Sequence, residues 1–226
     1  MTKPLALGVL VSGRGSNLQA IINAIEEGKL RAEIKVVISD REEAYALDRA
    51  RHHRIKTLFL DPRGYGCRES YDQMTAEALQ HHGVQLVILA GFMRLLSAPL
   101  IHAFPHAIMN IHPSLLPAFP GLHVQRKALD HGVKFSGCTV HFVDEGLDSG
   151  PIIIQAVVPV LDGDTEETLS ERILNQEHRI FPRAIELFAQ GRLRVAGRRV
   201  LVNHPGDTGG EFLVNPSFDR AAPPRS

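Results

Sequence analysis

Asn110 and His112 stand two residues apart in the run Met109-Asn110-Ile111-His112-Pro113-Ser114-Leu115-Leu116-Pro117. The apolar residues around them mark a short buried strand, and side chains at i and i+2 of a strand face the same side. Pro113 stops that strand, while Pro117 and Pro120 stiffen the loop beyond it. An Asn amide offers two N–H donors, and a protonated imidazole offers another. Side by side they can hold an oxygen that turns negative when a carbonyl is attacked. One such donor is worth roughly 10²–10³ in rate. An imidazole can also carry a proton, its free pKa being about 6.5. The competing reading is a hydrogen-bonded Asn and His that merely finish a buried strand.

A histidine in that role needs a charge partner. Asp144, Glu145 and Asp148 fall between two β-branched runs, 135–143 and 152–158. Acids in such turns are commonly solvated, and that reading holds for Asp144 and Glu145. Asp148 sits in Leu147-Asp148-Ser149-Gly150-Pro151, immediately before the returning strand. We expect Asp148 to face His112 and to favour its protonated form, as a nearby carboxylate does.

A second feature lies near the N-terminus. Ser12-Gly13-Arg14-Gly15-Ser16-Asn17 joins the first apolar run to the first helical pattern. Glycines let backbone N–H groups turn toward an anion, and a helix N-terminus adds partial positive charge. Phosphate binding is one reading. The other is a capped helix, since Ser16 followed by Gln19 fits a capping box that needs no ligand. Dinucleotide binding is disfavoured. Gly13 and Gly15 match the first two glycines of the G-x-G-x-x-G fingerprint and Asp40 ends the second strand, but Leu18 fills the third glycine position. No Gly-Lys-Ser/Thr follows, so the loop is not a P-loop. A compact phosphate monoester suits it better than a pyrophosphate.

These residues need a scaffold that brings them together. Short apolar runs at 5–11, 34–39, 57–60, 86–90 and 107–111 read as buried strands. Segments 16–27, 44–53 and 68–82 between them have helical length and polarity. In the first, Leu18, Ile21, Ile22 and Ile25 repeat at i, i+3, i+4, i+7. Strand, helix and strand at this spacing imply parallel βαβ units in an α/β fold, with helices on both faces of a mostly parallel sheet. The gap between 135–143 and 152–158 is too short for a crossover helix, so that pair should be antiparallel. Residues 165–190 read as one long helix, with Thr165, Glu167 and Thr168 near its start and Gly191 just past its end. Around Ala196-Gly197, the runs 192–195 and 200–203 read as a terminal hairpin. From His204 onward Gly, Pro and Asp recur without periodicity, and we expect a poorly ordered tail. We divide the chain into a domain at 1–193, with halves of about 1–105 and 106–193, and the hairpin and tail at 194–226.

The 226 residues suffice for one or two domains. Lys+Arg and Asp+Glu both count 25. That balance argues against nucleic-acid or polybasic membrane partners, whose affinity rests on excess positive charge. Two cysteines, Cys67 and Cys138, make no disulfide framework and suggest a reducing, cytoplasmic compartment. The longest apolar stretch, 84–93, is far shorter than the roughly 20 residues a bilayer span needs, and no signal-peptide cleavage site appears. Of twelve histidines, His52-His53 and His81-His82 are adjacent pairs whose side chains diverge on a helix. No His-Glu-x-x-His or Cys-x-x-Cys occurs, so we expect no metal. His123 and His141 are expected to line the site but are given no catalytic role.

Several motifs occur in one order: Gly13-x-Gly15-Ser16-Asn17-Leu18, Ala90-Gly91-Phe92-Met93-Arg94, Asn110-x-His112-Pro113-Ser114-Leu115-Leu116-Pro117, Pro120-Gly121-Leu122-His123 and Val140-His141-Phe142-Val143. From about Leu5 to Leu193 the chain resembles the phosphoribosylglycinamide branch of the folate-dependent formyltransferase family. The resemblance implies a Rossmann-like formyltransferase fold. It implies an enzyme of purine synthesis that moves a formyl group from 10-formyltetrahydrofolate, as co-substrate, to the amine of glycinamide ribonucleotide. Gly15, Ser16 and Asn17 would then hold the nucleotide phosphate, and Asn110, His112 and Asp148 would be the catalytic trio. Met93, Arg94, Leu95, Leu96 and Asn110 would line the folate pocket, Arg68 would stand near the folate's glutamate tail, and Glu177 would contact the glycinamide substrate. Direct transfer is expected, because no Ser or Cys in these motifs is paired with a base. The expected partners are small molecules, in a monomer or homodimer. The alternatives are a formyltetrahydrofolate hydrolase, usually with an extra N-terminal domain, a methionyl-tRNA formyltransferase, which carries a C-terminal RNA-binding domain, and a silent folate- or nucleotide-binding protein.

Overall fold

The computed structural model describes residues 3–203. A single mixed sheet of nine strands organises them. Strands β1 (Leu5–Val11), β2 (Ala32–Ser39), β3 (Thr57–Phe59), β4 (Leu86–Leu89) and β5 (Ile108–His112) are parallel. They are followed by β6 (Phe135–Phe142) and β7 (Ile152–Pro159), each antiparallel to the strand before it. Strands β8 (Leu193–Ala196) and β9 (Arg199–Val202) form the terminal hairpin. The order across the sheet is β3-β2-β1-β4-β5-β6-β7-β9-β8. The hairpin therefore extends this same sheet, β9 pairing with β7 at Ile152 and Arg199. The expectation of a poorly ordered tail beyond His204 lies outside the described residues.

Between β1 and β4 the order reverses. At such a switch point the connections diverge and leave a crevice at the strands' carboxyl ends. Helix α1 (Ser16–Glu26) follows β1, α2 (Tyr45–His52) follows β2, and α3 (Arg68–His81) follows β3. The two short helices α4 (Ala98–Ala103) and α5 (Val124–Asp130) went unread in the sequence. Each is too short to show a helical period. The long helix α6 (Glu166–Ala189) starts on a capping box: the Thr165 hydroxyl accepts from Thr168 N, and the Thr168 side chain returns to the Thr165 backbone. Pro182 lies inside α6 and leaves the carbonyl of His178 without its usual i+4 donor.

The strand pleat sorts side chains onto two cores. Leu7, Val9, Val11, Met109 and Ile111 pack with residues of α1, α2 and α6 on one face. Leu10, Val36, Ile38 and Ile108 pack with Tyr71, Leu79, Leu100 and Phe104 of the α3–α4 region on the other. Alternation then puts Asn110 and His112 on the α3–α4 face. A third cluster joins Ala128, Cys138, Val158, Leu169 and Ile173 beneath α5 and α6.

Candidate active site

The site is assembled at the end of β5. Asn110 is opposite His141 and His112 is opposite Thr139 in the antiparallel register with β6. All four side chains therefore share a face. Thr139 pins the loop that follows: its hydroxyl donates to Ser114 O at 2.7 Å and accepts from Leu116 N at 3.1 Å. The loop then returns its Phe119 carbonyl to His112 Nε2 at 2.9 Å. A carbonyl only accepts, so that nitrogen carries a proton.

The other ring nitrogen meets a carboxylate. The β6–β7 connection folds back and brings Asp148 Oδ2 to 3.5 Å from His112 Nδ1. The same oxygen accepts from Gly121 N at 2.9 Å. Both side chains are nearly closed to solvent, at 7% for His112 and 12% for Asp148. Each His112 nitrogen thus faces an oxygen, the Phe119 carbonyl on one side and the Asp148 carboxylate on the other. Tight geometry shapes this connection. Asp148 has φ 48°, and a Cβ on Gly150 would meet Phe142 O at 1.8 Å, so only glycine fits there.

His141, to which the sequence reading gave no catalytic role, stands in the site itself. Asn110 Nδ2 donates to His141 Nε2 at 3.2 Å, and His141 Nδ1 donates to Phe142 O at 2.8 Å. Asp148 Oδ1 lies 3.9 Å from His141 Nε2. Burial holds the His141 pKa below the ordinary imidazole value, outweighing the Phe142 carbonyl and the Asp148 charge. A neutral ring with its proton on Nδ1 accepts from Asn110 and so fixes the amide's orientation. Alternation along 135–143 places Thr139 and His141 on one face; only the register with β5 reveals which face.

The glycine loop does not form the capping box that was one of its two readings. Gly15, not Ser16, is the N-cap of α1, with φ 73°, and no side chain caps the helix. The Ser16–Gln19 capping box is absent: Gln19 Nε2 bonds Asn23 instead. The reason is backbone geometry, because Ser16 already has helical conformation as the first residue of α1. Its first-turn N–H groups have no acceptor within the helix. Asn17 Nδ2 donates to Glu177 Oε2 of α6 at 2.7 Å. Its Nδ2 is engaged by Glu177, while its Oδ1 is buried without a hydrogen-bond partner among the described residues. Glu177 is almost fully buried, and that burial pushes its carboxyl pKa up against the lowering effect of the Asn17 bond. Two strand spacings separate β1 from β5, roughly 10 Å.

The segment after β4 runs between these two features. Met93 and Leu95 point outward, 63% and 56% exposed, and Leu122 and Leu147 are comparably exposed at the loops beside Asp148. Leu96 is half-buried against the α3–α4 core. Arg94 folds inward, its guanidinium 4.9 Å above the Tyr71 ring. Arg68 begins α3 and is half-exposed, with Glu69 at 3.7 Å. The structure joins Asn110, His112 and Asp148 in one cluster and Asn17 with Glu177 in another. Arg68 touches neither.

Cys138 lies on the opposite face of β6 from His141, in the third core cluster. Burial pushes its thiol up to about 12. It has neither access nor acidity for nucleophilic work.

Comparison with known proteins gives consistent findings. The family model described as "Formyl transferase" matches residues 6–185. Phosphoribosylglycinamide formyltransferase of Escherichia coli is 44% identical over 187 residues, spanning 83% of this chain and 88% of that one. The trifunctional purine biosynthetic protein adenosine-3 of Drosophila pseudoobscura pseudoobscura is 50% identical over 190 residues; the chain spans only 14% of its length. Among solved structures, glycinamide ribonucleotide transformylase 1 of Symbiobacterium toebii superposes with a TM-score of 0.88 at 57% identity, covering 89% of this chain and 95% of that one. The phosphoribosylglycinamide formyltransferase of Coxiella burnetii gives 0.84 at 40% identity, covering 88% and 93%.

Proposed function

The chain belongs to the formyl transferase family, and within it we propose that this protein carries the formyl group of 10-formyltetrahydrofolate to the amine of glycinamide ribonucleotide. The products are formylglycinamide ribonucleotide and tetrahydrofolate, a step of purine synthesis. The observation that carries this reading is the convergence of Asn110, His112 and Asp148 on one face at the end of β5. The uncapped N-terminus of α1 nearby supports a phosphate-bearing acceptor.

The chemistry follows from the donors. The acceptor amine must be neutral, since an ammonium has no lone pair. Its nitrogen attacks the formyl carbon and a C–N bond forms. The carbonyl electrons move to oxygen, and the Asn110 amide and the His112 imidazolium stabilise that oxyanion. Asp148 sustains the charge on His112. The tetrahedral species collapses by breaking the bond to folate N10. That nitrogen takes up a proton, and the former amine nitrogen releases one. Transfer is direct, with no enzyme-bound formyl group. Gly15, Ser16 and Asn17 hold the phosphate by backbone N–H groups, and Glu177 meets the sugar or glycinamide portion. Met93, Leu95 and Leu96 with the backbone around Arg94 and Asn110 line the pterin pocket, and Arg68 stands by the folate's carboxylate tail.

Deformylation of the folate, followed by absorbance with and without glycinamide ribonucleotide, tests the reading. Loss of formyl folate that requires the amine is the expected result. Equal loss in its absence would assign hydrolysis instead.

A further inference from the structure

The segment 91–97 has no regular structure of its own, yet it presents Met93 and Leu95 to solvent while Arg94 turns inward. Something must hold it in that shape. Its first end is tied to β1: Ser12 N donates to Gly91 O at 3.1 Å, and Met93 N donates to Ser12 Oγ at 3.0 Å. Its far end is tied to α3. Ser97 N and Ser97 Oγ both donate to Asp72 Oδ2, at 2.5 and 2.6 Å. Asp72 has no exposed surface, and Ser97 is 5% exposed.

A carboxylate in that position is costly, because burial takes its charge out of water. Burial pushes its pKa up, and its surroundings offset that cost in part. The two Ser97 donors address the carboxylate directly, and the Arg94 and Arg68 cations act on it through space. Arg94 is itself braced over the ring of Tyr71, the residue preceding Asp72. Asp72 therefore reads two things at once: the backbone position of Ser97 and the inward turn of Arg94. A neutral amide oxygen would still accept both Ser97 bonds, and the Tyr71 ring would still brace Arg94.

We propose that Asp72, acting through Ser97, is a positioning residue for the folate co-substrate: it sets the 93–96 backbone and its outward apolar side chains. The proposal rests on the formyl-folate reading above for what that segment receives. Asp72 touches no reacting atom, so its effect belongs on binding of one substrate and not on the chemical step.

Three variants and two readouts test it. Asp72→Ala removes the acceptor, Ser97→Ala removes one of two donors, and Asp72→Asn keeps an oxygen that can accept both Ser97 bonds. In Asp72→Ala the KM for 10-formyltetrahydrofolate should rise about tenfold, while the KM for glycinamide ribonucleotide stays within about twofold. Asp72→Asn should recover most of the loss, and Ser97→Ala should fall between. Hydrogen exchange supplies a readout independent of activity: in Asp72→Ala, and in Ser97→Ala if the former fails to fold, amides of 93–97 should exchange faster while those of β1 and β5 do not. Equal rises in both KM values, or faster exchange throughout the sheet, would mean general destabilisation and overturn the proposal. Unchanged exchange at 93–97 would overturn it as well. A wild-type protein that leaves formyl folate untouched would instead refute the functional reading, and the exchange result would still decide whether Asp72 shapes the segment.

Discussion

At the scale of single residues, the site depends on which nitrogen holds which proton. His112 faces an acceptor at each nitrogen, Phe119 O and Asp148 Oδ2. His141 faces a carbonyl at one nitrogen and an amide donor at the other. Two imidazoles near one carboxylate thus have different surroundings: His112 faces an oxygen at each nitrogen, while His141 stays neutral and orients Asn110. The neutral form of His141 has a cost at low pH. Burial depresses its folded pKa below the ordinary imidazole value of 6.5. The unfolded chain therefore takes up a proton there before the folded one does, and stability is lost as pH falls from about 6.5 toward the depressed value. His141→Asn removes that titration. The drop in Tm between pH 7.5 and 5.5 should be smaller in the variant than in the wild type, measured by thermal scans at each pH. An identical drop in both would show that His141 does not titrate as described. The residue pair Asn110 and His112 was legible in the sequence because strand periodicity alone puts i and i+2 together. The pairing of His141 with Asn110 was not, because it depends on a register between strands about 30 residues apart.

At the scale of elements, loops do the positioning and strands supply the frame. The glycine loop shows the principle most sharply. Gly15 has φ 73°, and a Cβ there would come within 2.6 Å of the Ala46 Cβ and 2.8 Å of its Cα. The start of α2 packs directly on the loop, and Ala46 N donates to Gly13 O at 3.0 Å. Gly15→Ala should combine left-handed strain with a clash against backbone, a loss of at least about 2 kcal/mol. Chemical denaturation should show it as a lower midpoint, accompanied by a higher KM for the phosphate-bearing substrate. An unchanged midpoint would mean the loop can shift away from α2. Much at this scale was readable beforehand. The βαβ alternation gave the parallel strands, and the short 144–151 gap gave the antiparallel pair. The start of α6 was marked by Thr165 and Thr168. Helices α4 and α5 were hidden because a segment of six or seven residues shows less than two turns of periodicity. The Ser16–Gln19 pattern misled for a related reason: spacing fits a capping box whether or not Ser16 has the extended backbone a cap requires.

At the scale of the whole molecule, the sheet's reversal between β1 and β4 gathers distant pieces of chain at one edge. The glycine loop comes from the first strand, the Met93–Leu96 segment from the fourth, Asn110 and His112 from the fifth, and Asp148 from the β6–β7 connection. The terminal hairpin contributes too, since Arg198 donates to Ser149 O at 3.0 Å, beside Asp148. Among the described residues, no helix is long and apolar enough to cross a membrane. The central claim is that an amide, an imidazolium and a carboxylate from these pieces act on one formyl group. The measurement closest to it is kcat for Asp148→Asn with both substrates saturating, set beside its Tm and circular dichroism. The side chain keeps its shape and an acceptor for Gly121 N but loses its charge. The account predicts a fall in kcat of about 10²-fold or more with the folded state preserved. Wild-type turnover by a correctly folded Asp148→Asn protein would contradict it.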